Sequence, residues 1–255
     1  MPPRPTSAAE KRYADLIVTG EWVAAPGVTL LVARSVEIRA GAVMNAGTTL
    51  REIRTDRLVM HAGAAIRVSG AIDEFRLTAG ASEVSGKCLI SGRGASPGDD
   101  GVDMKIYLGL AKIDRLTIST AGARGAAGGK GTPGANGHKG ECITFTKPTK
   151  GRPGGKGKTG GRGGHGGNVV VAVKRGSPTP KRLEIDTQGG PGGPGGPGGT
   201  GGKGGGGSDC GFWGYGRAAS GPPGPGGDPG PEGDDGDARF VEVESFTRFE
   251  DLPHS

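Results

Sequence analysis

Residues that could carry chemistry are scarce in this sequence. Its three cysteines, Cys88, Cys142 and Cys210, are too few and too widely spaced for a disulfide framework or a metal site. The four histidines show no ligand spacing with a cysteine or with one another, and they are His61, His138, His165 and His254. The sequence therefore predicts neither a metal ion nor a cofactor.

Long apolar runs are also absent. No stretch approaches the about 18 apolar residues that a membrane-spanning helix needs. The N-terminal segment, MPPRPTSAAEKRYADLIV, contains no apolar run of signal-peptide length. We therefore expect no membrane span, and a protein that is cytoplasmic as made or that leaves the cell as a component of a virion or other particle.

A group of carboxylates that could suggest catalysis, Asp99, Asp100 and Asp103, lies in a loop rich in glycine and proline. Enzymes that hydrolyse polysaccharides need at least two carboxylates held at a fixed separation, and no second acidic cluster lies near this loop in the sequence. The glycine-rich segments also lack the strand and helix that flank a phosphate-binding loop. The sequence consequently predicts that the protein is not an enzyme.

Glycine dominates what is present, with 56 of the 255 residues. It returns at every third position in four blocks, which span residues 122–140, 151–166, 189–207 and 221–236 and are numbered here blocks 1 to 4. This strict phase matches the polyproline-II helix, which has three residues per turn and rises about 3.1 Å per residue. A row of glycine along one edge of such a helix lets another backbone approach closely.

Three arrangements can use such rows. Helices of one chain can pack side by side and hydrogen-bond to their neighbours, as in polyglycine II; three chains can wind into a collagen triple helix; or the blocks can stay disordered. Block 3 favours the first arrangement, because it has glycine in two of every three positions through residue 205. The glycines expected at close backbone approaches include Gly125, Gly128, Gly157, Gly160, Gly192, Gly195, Gly198, Gly227 and Gly230.

Two non-repeating links join the blocks in pairs. Link 1, ECITFTKPTK, spans residues 141–150, and link 2, SDCGFWGYGRAAS, spans residues 208–220. Both links are expected at the same far tip of the hairpins. Cys142 and Cys210 occupy equivalent places just after a block, and whether they are bridged stays open.

Link 2 concentrates aromatic residues and an arginine, the residue types that binding surfaces enrich. The candidate partner-binding residues are therefore Phe212, Trp213, Tyr215 and Arg217. The alternative is that Phe212 and Trp213 cap the open end of the glycine bundle and cover its last unpaired groups.

Short segments rich in valine, isoleucine and leucine alternate with turns from residue 14 onward. The segments DRLVMHAG, DEFRLTAG, DRLTISTAG and KRLEIDTQG repeat one signature, which is typical of a solenoid. The last two copies run directly into blocks 1 and 3, with Leu116 aligned to Leu183. We predict an all-β fold: a short parallel β-helix or solenoid with inserted polyglycine-II hairpins, later strands that continue the same sheet, and essentially no α-helix.

The predicted domain boundaries follow from these patterns. They are an N-terminal arm at 1–13, a β-solenoid at 14–120, glycine-triplet hairpins at 121–238 (121–168 and 188–238, with intervening strands at 169–187), and a final strand with a tail at 239–255. Charge is uneven, because residues 122–167 are basic with Glu141 as their single acid, whereas residues 221–237 are acidic without a base. Either these charges lie on solvated faces, or the basic and acidic blocks are neighbours and set the packing order.

Two resemblances extend this interpretation. The N-terminal strands, with runs such as AGAAIRVSG, resemble the right-handed parallel β-helix of bacterial and phage surface proteins. By architecture, residues 115–245, with their aromatic link, resemble the tail-fibre-tip adhesins of T-even-like phages. In that family an attachment domain precedes glycine-rich runs folded as polyglycine-II helices, and the distal links recognise the bacterial surface. The family's attachment domain is not a simple β-helix, and its glycine runs are more numerous.

The residues and the resemblance together predict a non-enzymatic structural or binding protein, namely an adhesin or receptor-binding tip whose links contact a protein or a cell-surface glycan. One alternative is a collagen-like or intracellular scaffold that self-associates through its glycine blocks. A less favoured alternative is RNA binding through the basic glycine-rich blocks, which would use lysine and arginine against phosphate.

Overall fold

The computed structural model describes residues 9–69, 72–177 and 182–251. The chain divides into two compact units: unit 1 comprises Met1–Ala123, Gly164–Gly190 and Gly233–Ser255, and unit 2 comprises Arg124–Gly163 and Pro191–Glu232. Within the described residues, regular secondary structure consists of β-strands and one short 3-10 helix at Phe249–Asp251. The prediction of an all-β fold is thus confirmed.

The strands are numbered in chain order. They are β1 (Ala9–Val18), β2 (Glu21–Val23), β3 (Val28–Ile38), β4 (Val43–Asn45), β5 (Glu52–Met60), β6 (Ala65–Arg67), β7 (Glu74–Ser91), β8 (Asp103–Ser119), β9 (Val169–Lys174), β10 (Arg182–Asp186), β11 (Ser208–Asp209), β12 (Gly214–Tyr215) and β13 (Ala238–Val243).

Unit 1 is organised around one 11-stranded sheet in which every pairing is parallel. One ladder follows β1, β3, β5, β7, β8, β9 and β13, and the other follows β2, β4, β6, β7, β8 and β10. Because the long strands β7 and β8 belong to both ladders, the sheet turns back on itself as in a solenoid. The later strands continue the N-terminal sheet as predicted, and Leu116 lies opposite Leu183.

Equivalent residues of successive strands form inward rows that build the core. One row consists of Leu31, Ile53, Leu77, Ile106 and Val171. Each of these residues lies opposite the next on the adjacent strand, and all five are fully buried. Their neighbours on the middle strands, Glu52, Arg54, Arg76 and Thr78, point outward and are charged or polar, which explains the alternation seen there in the sequence. Burial of each large aliphatic side chain contributes roughly 1.5–3 kcal/mol to stability.

Loss of one member of this row should be strongly destabilising. Leu77→Ala removes a side chain that is 0% exposed, and we expect it to lower the free energy of unfolding by about 2–5 kcal/mol. The matched control is Leu110→Ala, because Leu110 lies in the adjacent strand but is 57% exposed. Urea unfolding followed by circular dichroism measures both, and equal midpoint shifts in the two variants would contradict the inward row.

The segment after the last strand packs on the outer face of the sheet. The Phe246 ring stacks on Tyr107 with 4.0 Å between ring centroids, and Phe249 meets Phe246 edge-on at 4.8 Å. The carboxylate of Glu250 lies 3.1 Å from the Arg76 guanidinium. Sequence analysis assigned no role to this tail, because isolated aromatic residues in a polar segment show no periodicity.

Some domain boundaries differ from those drawn on the sequence. The strand β1 begins at Ala9, so residues 9–13 of the predicted arm lie in the first strand. Residues 1–8 of the arm lie outside the described residues, as do residues 178–181 of the intervening segment and residues 252–255 of the tail. The predicted intervening strands appear as β9 and β10.

Unit 2 consists of the four glycine blocks without their first or last residues, together with both links. Backbone hydrogen bonds recur at every third residue between blocks; the Gly128 N–H donates to the Pro194 carbonyl at 2.8 Å, and the Gly131 N–H donates to that of Pro197 at 2.9 Å. The bonded neighbours are blocks 1 and 2, 1 and 3, 2 and 3, 2 and 4, and 3 and 4. Blocks 2 and 3 are therefore the inner pair.

Glycine is required at most of the positions where these blocks approach closely. A Cβ atom built on any of the nine glycines expected at close approaches would lie 1.9–2.1 Å from a backbone carbonyl oxygen of a neighbouring block. Real Cβ atoms do not approach so closely. These nine are Gly125, Gly128, Gly157, Gly160, Gly192, Gly195, Gly198, Gly227 and Gly230.

Block 3 has close approaches on two edges, as its doubled glycines predicted. A Cβ on Gly195 would meet the Gly227 carbonyl of block 4 at 2.0 Å, whereas a Cβ on Gly196 would meet the Gly129 carbonyl of block 1 at 2.0 Å. The third position of each triplet, such as Pro194, is exposed. The doubled glycines of block 3 therefore indicate that it lies between other blocks of unit 2.

Candidate binding surface

The two links lie together at one end of unit 2. The last triplets of blocks 1 and 3 pair there, with the Gly140 N–H donating to the Gly206 carbonyl at 3.0 Å. The first triplets of blocks 2 and 4 meet at the same end, where the Gly154 N–H donates to the Pro222 carbonyl at 3.0 Å. All four block ends that carry a link are therefore neighbours.

A disulfide bond joins the links covalently. It connects Cys142 in link 1 with Cys210 in link 2, which are 68 residues apart in sequence. The sequence left this pairing open; the equivalent places of the two cysteines after their blocks were the signal for it. The bond fixes the two links to each other.

An aromatic stack reinforces the junction. The Trp213 ring lies parallel to the Phe145 ring of link 1, with 5.5 Å between centroids, and meets the Tyr215 ring edge-on at 5.2 Å. The Tyr215 hydroxyl donates a hydrogen bond to the Phe145 carbonyl at 3.0 Å. Link 2 thus contributes two of its predicted aromatic residues to a packed contact with link 1.

Each link adopts a tight local turn. In link 1, Glu141 and Thr146 form an antiparallel bridge, and Phe145 has a φ of 50°, which is uncommon for a residue other than glycine. In link 2, β11 and β12 form a short hairpin whose turn contains Gly211 at a φ of 85°. These turns direct the intervening side chains away from the blocks.

Apolar side chains protrude from both turns. Phe212 is fully exposed, Ile143 is 94% exposed and Phe145 is 71% exposed, whereas Trp213 is 42% exposed. We call Ile143, Phe145, Phe212, Trp213, Tyr215 and Arg217 the link surface. Sequence analysis found its link 2 members and missed Ile143 and Phe145, although their spacing in ECITFTKPTK and the equivalence of the two links could have indicated them.

The cap interpretation named Phe212 and Trp213, but the residue of link 2 that packs against a block end is Tyr215. Tyr215 is partly buried, and a Cβ on Gly140 would lie 3.2 Å from its ring, so Tyr215 packs against a block end as a cap would. Phe212 makes no ring contact among the described residues and covers nothing. Arg217 is exposed, and its guanidinium has no hydrogen-bond or ion-pair partner within the described part of the chain.

Exposed cations lie in the link surface and next to it. They belong to the links or to the nearest triplets of the blocks, and they are Lys139, Lys147, Lys150, Lys203 and Arg217. The nearby acids already accept local hydrogen bonds: Glu141 accepts one from the Thr144 hydroxyl at 3.0 Å, and Asp209 accepts one from the Gly211 N–H at 3.1 Å. The surroundings of the apolar side chains are therefore net basic.

The acidic loop of unit 1 has a structural role. Asp99 accepts a hydrogen bond from the Ser96 N–H, Asp100 accepts one from the His165 N–H, and Asp103 accepts one from the Asn168 N–H, at 2.6–2.8 Å. Across residues 9–69, 72–177 and 182–251, no group of three or more potential metal ligands is assembled. Asp99 thus holds a local turn, whereas Asp100 and Asp103 bind the backbone of the distant segment that contains His165 and Asn168.

Comparisons with known proteins give no assignment. No protein-family model, curated protein or solved structure matches this chain. In the part of the chain that the structure describes, no helix is both long and apolar enough to cross a bilayer. The function is accordingly inferred from the residues and their geometry.

Proposed function

We propose that this chain is a non-enzymatic binding protein, an adhesin or receptor-binding tip that attaches to a cell surface through the link surface. In this proposal the glycine blocks form a polyglycine-II bundle, and the bundle holds the two links in a fixed arrangement. The partner classes that the sequence resemblance implies are a surface protein and a surface glycan.

The polyglycine-II assignment is supported by the three-residue period of the backbone hydrogen bonds in unit 2. A polyproline-II-type helix makes no internal hydrogen bonds, so its N–H and C=O groups need partners outside the helix. Here the glycine N–H groups of each block donate to carbonyls of other blocks in the same chain. A collagen-like trimer would need these groups for other chains, which makes the scaffold the less favoured alternative.

The observation that carries the functional proposal is the exposure of the link surface. Phe212, Ile143 and Phe145 present large apolar side chains to solvent on turns that are fixed by a disulfide bond and an aromatic stack. Phe212 and Ile143 are almost fully exposed and add little stability to the fold, whereas Phe145 also stacks on Trp213. Because rigid presentation of such groups lowers the entropy lost when a partner binds, we assign these side chains to recognition of a partner.

Binding to whole cells tests this proposal. We expect fluorescently labelled protein to be retained by intact cells of at least one member of a bacterial panel, and Phe212→Ser with Arg217→Ala to reduce retention about tenfold or more, as for loss of binding hot spots. The melting temperature should stay within about 2 °C, because neither side chain packs within the protein. Flow cytometry gives the first quantity and calorimetry the second.

Ile17→Ser is the matched control, because Ile17 is an exposed apolar residue of unit 1. Equal retention of this control and of the link variant would contradict the proposal, as would absence of retention on every cell type of the panel. Light scattering of the same samples tests the scaffold alternative, which requires a trimer.

A further inference from the structure

We propose that the link surface binds an anionic lipid surface, with its apolar side chains inserted at the level of the headgroups and its surrounding cations on the lipid phosphates. This inference rests on the proposed function, because it names the partner of the same surface. It concerns a surface contact and not a membrane span.

The shape of the exposed apolar group favours lipid. The Trp213 ring is already engaged within the links, because it stacks on Phe145 and makes an edge-to-face contact with Tyr215. The Tyr215 hydroxyl is also engaged by the Phe145 carbonyl. What remains exposed are the separate, protruding side chains of Ile143, Phe145 and Phe212. Such projections insert readily into the boundary between headgroups and acyl chains.

The charge distribution favours an anionic surface. Lys139, Lys147, Lys150, Lys203 and Arg217 are all exposed around the apolar group. An anionic leaflet attracts each such cation, and the attraction fades within a Debye length. Glu141 and Asp209 are the nearby acids, and each is held in a local hydrogen bond. Apolar insertion and electrostatic attraction can therefore act at one place, and stable membrane attachment generally needs two such signals.

The links are prepared for this contact before it forms. The disulfide bond between Cys142 and Cys210 fixes the links to each other. The left-handed backbone of Phe145 holds its ring against Trp213, and such conformations concentrate at functional sites. Little conformational freedom then remains to be lost on insertion.

Vesicle flotation tests the inference with the full chain. The probes are vesicles of phosphatidylcholine alone and of phosphatidylcholine mixed with phosphatidylglycerol. We expect about tenfold or more protein on the anionic vesicles at low ionic strength, and a marked loss in high salt. In a Trp22→Phe background, Trp213 is the remaining tryptophan, and its emission should shift to the blue on anionic vesicles.

Three variants separate the contributions. Phe212→Ser with Ile143→Ser should abolish flotation, Lys147→Glu with Lys150→Glu should remove the preference for anionic vesicles, and Ile17→Ser should float like the unmodified chain. Because Phe212 and Ile143 are exposed, the first variant should keep its melting temperature. The Trp213 emission measurement needs no substitution in the link surface, so it also decides the question if a variant fails to fold.

Flotation that is absent or equal for both vesicle types, or an unchanged Trp213 emission, overturns the lipid inference. If the unmodified chain is still retained by whole cells in that case, the partner is a glycan or a protein, and the proposed function stands. If neither vesicles nor cells retain it, both proposals fail.

Discussion

Gly195→Val should prevent the packing of block 3 against block 4 and lower the melting temperature of unit 2 by about 10 °C or more. A Cβ on Gly195 would lie 2.0 Å from the Gly227 carbonyl oxygen, and the obstructing atoms belong to the backbone. Relief requires the blocks to separate, which breaks hydrogen bonds such as that from the Gly227 N–H to the Gly196 carbonyl at 2.7 Å. A loss of about 4 kcal/mol corresponds to this shift in a chain of this size.

Gly226→Val is the matched control for this effect. It introduces the same side chain one position from Gly227, but its Cβ would find a single neighbour, the Gly196 carbonyl oxygen at 3.8 Å. Pro194→Ala is a second control, because Pro194 is exposed and its carbonyl, which accepts from the Gly128 N–H, is retained. Trp213 fluorescence in the Trp22→Phe background reports the unfolding of unit 2. Similar midpoints for Gly195→Val and Gly226→Val would show that the blocks do not pack as described.

Removal of the disulfide bond should have the second large effect. Cys142 and Cys210 are 68 residues apart, and a cross-link that closes a loop of this size stabilises a protein by about 4 kcal/mol in the chain-entropy model. We therefore expect Cys142→Ser with Cys210→Ser to lower the melting temperature of unit 2 by about 10 °C. Reduced wild-type protein is the control, because it lacks the disulfide bond but carries no substitution. Its melting temperature should match that of the double variant.

Thiol counting checks the same bond independently. Cys88 is the free cysteine; it is buried, and burial raises the pKa of its thiol, so it should react slowly with thiol reagents in the native protein. The expected counts with Ellman's reagent are none in the native state, one after denaturation, and three after denaturation with reduction. Three reactive thiols without reductant would contradict the bond and remove the basis for the stability effect.

The solenoid could be predicted largely because its signal is local. Alternation along segments such as β3 and β5 reveals which side chains point inward, and the repeated signature fixes how one coil aligns with the next, as with Leu116 and Leu183. The early start of β1 and the packing of Phe246 on Tyr107 could not be predicted. Both depend on contacts between residues that are distant in the chain, and such contacts produce no periodic pattern in the sequence.

The pairing of the glycine blocks was predictable in part. The doubled glycines identified block 3 as a block with two close edges, whereas the charge asymmetry left open whether the charges lie on solvated faces or mark a basic and an acidic block as neighbours. The structure contains such a contact, with Lys156 of block 2 lying 2.5 Å from Asp228 of block 4. This exposed ion pair contributes at most about 1 kcal/mol. The remaining pairings are made by backbone N–H and C=O groups, which every block has. The side chains therefore do not indicate which blocks pair.

The link surface was predictable where its residue types are unusual. Phe212, Trp213, Tyr215 and Arg217 are conspicuous in a sequence in which aromatic residues make up 4%. Ile143 and Phe145 resembled an ordinary strand, because an isoleucine and a phenylalanine separated by threonine also suit a half-buried sheet. Only the joined geometry of the two links places them on the same surface as Phe212.

The three-residue spacing of the hydrogen bonds restricts how unit 2 can change in length. Deleting one or two residues within a block would turn every following glycine away from its neighbour and bring side chains against backbone carbonyls. A deletion of three residues preserves the phase, but each inner block bonds to three others, so all four blocks must shorten together. Unit 2 can therefore lengthen or shorten only in whole triplets and only in concert, whereas link residues outside the disulfide bond and the aromatic stack are not subject to this constraint. Under the proposed function, a change of partner would therefore require changes in the links and not in the lengths of the blocks.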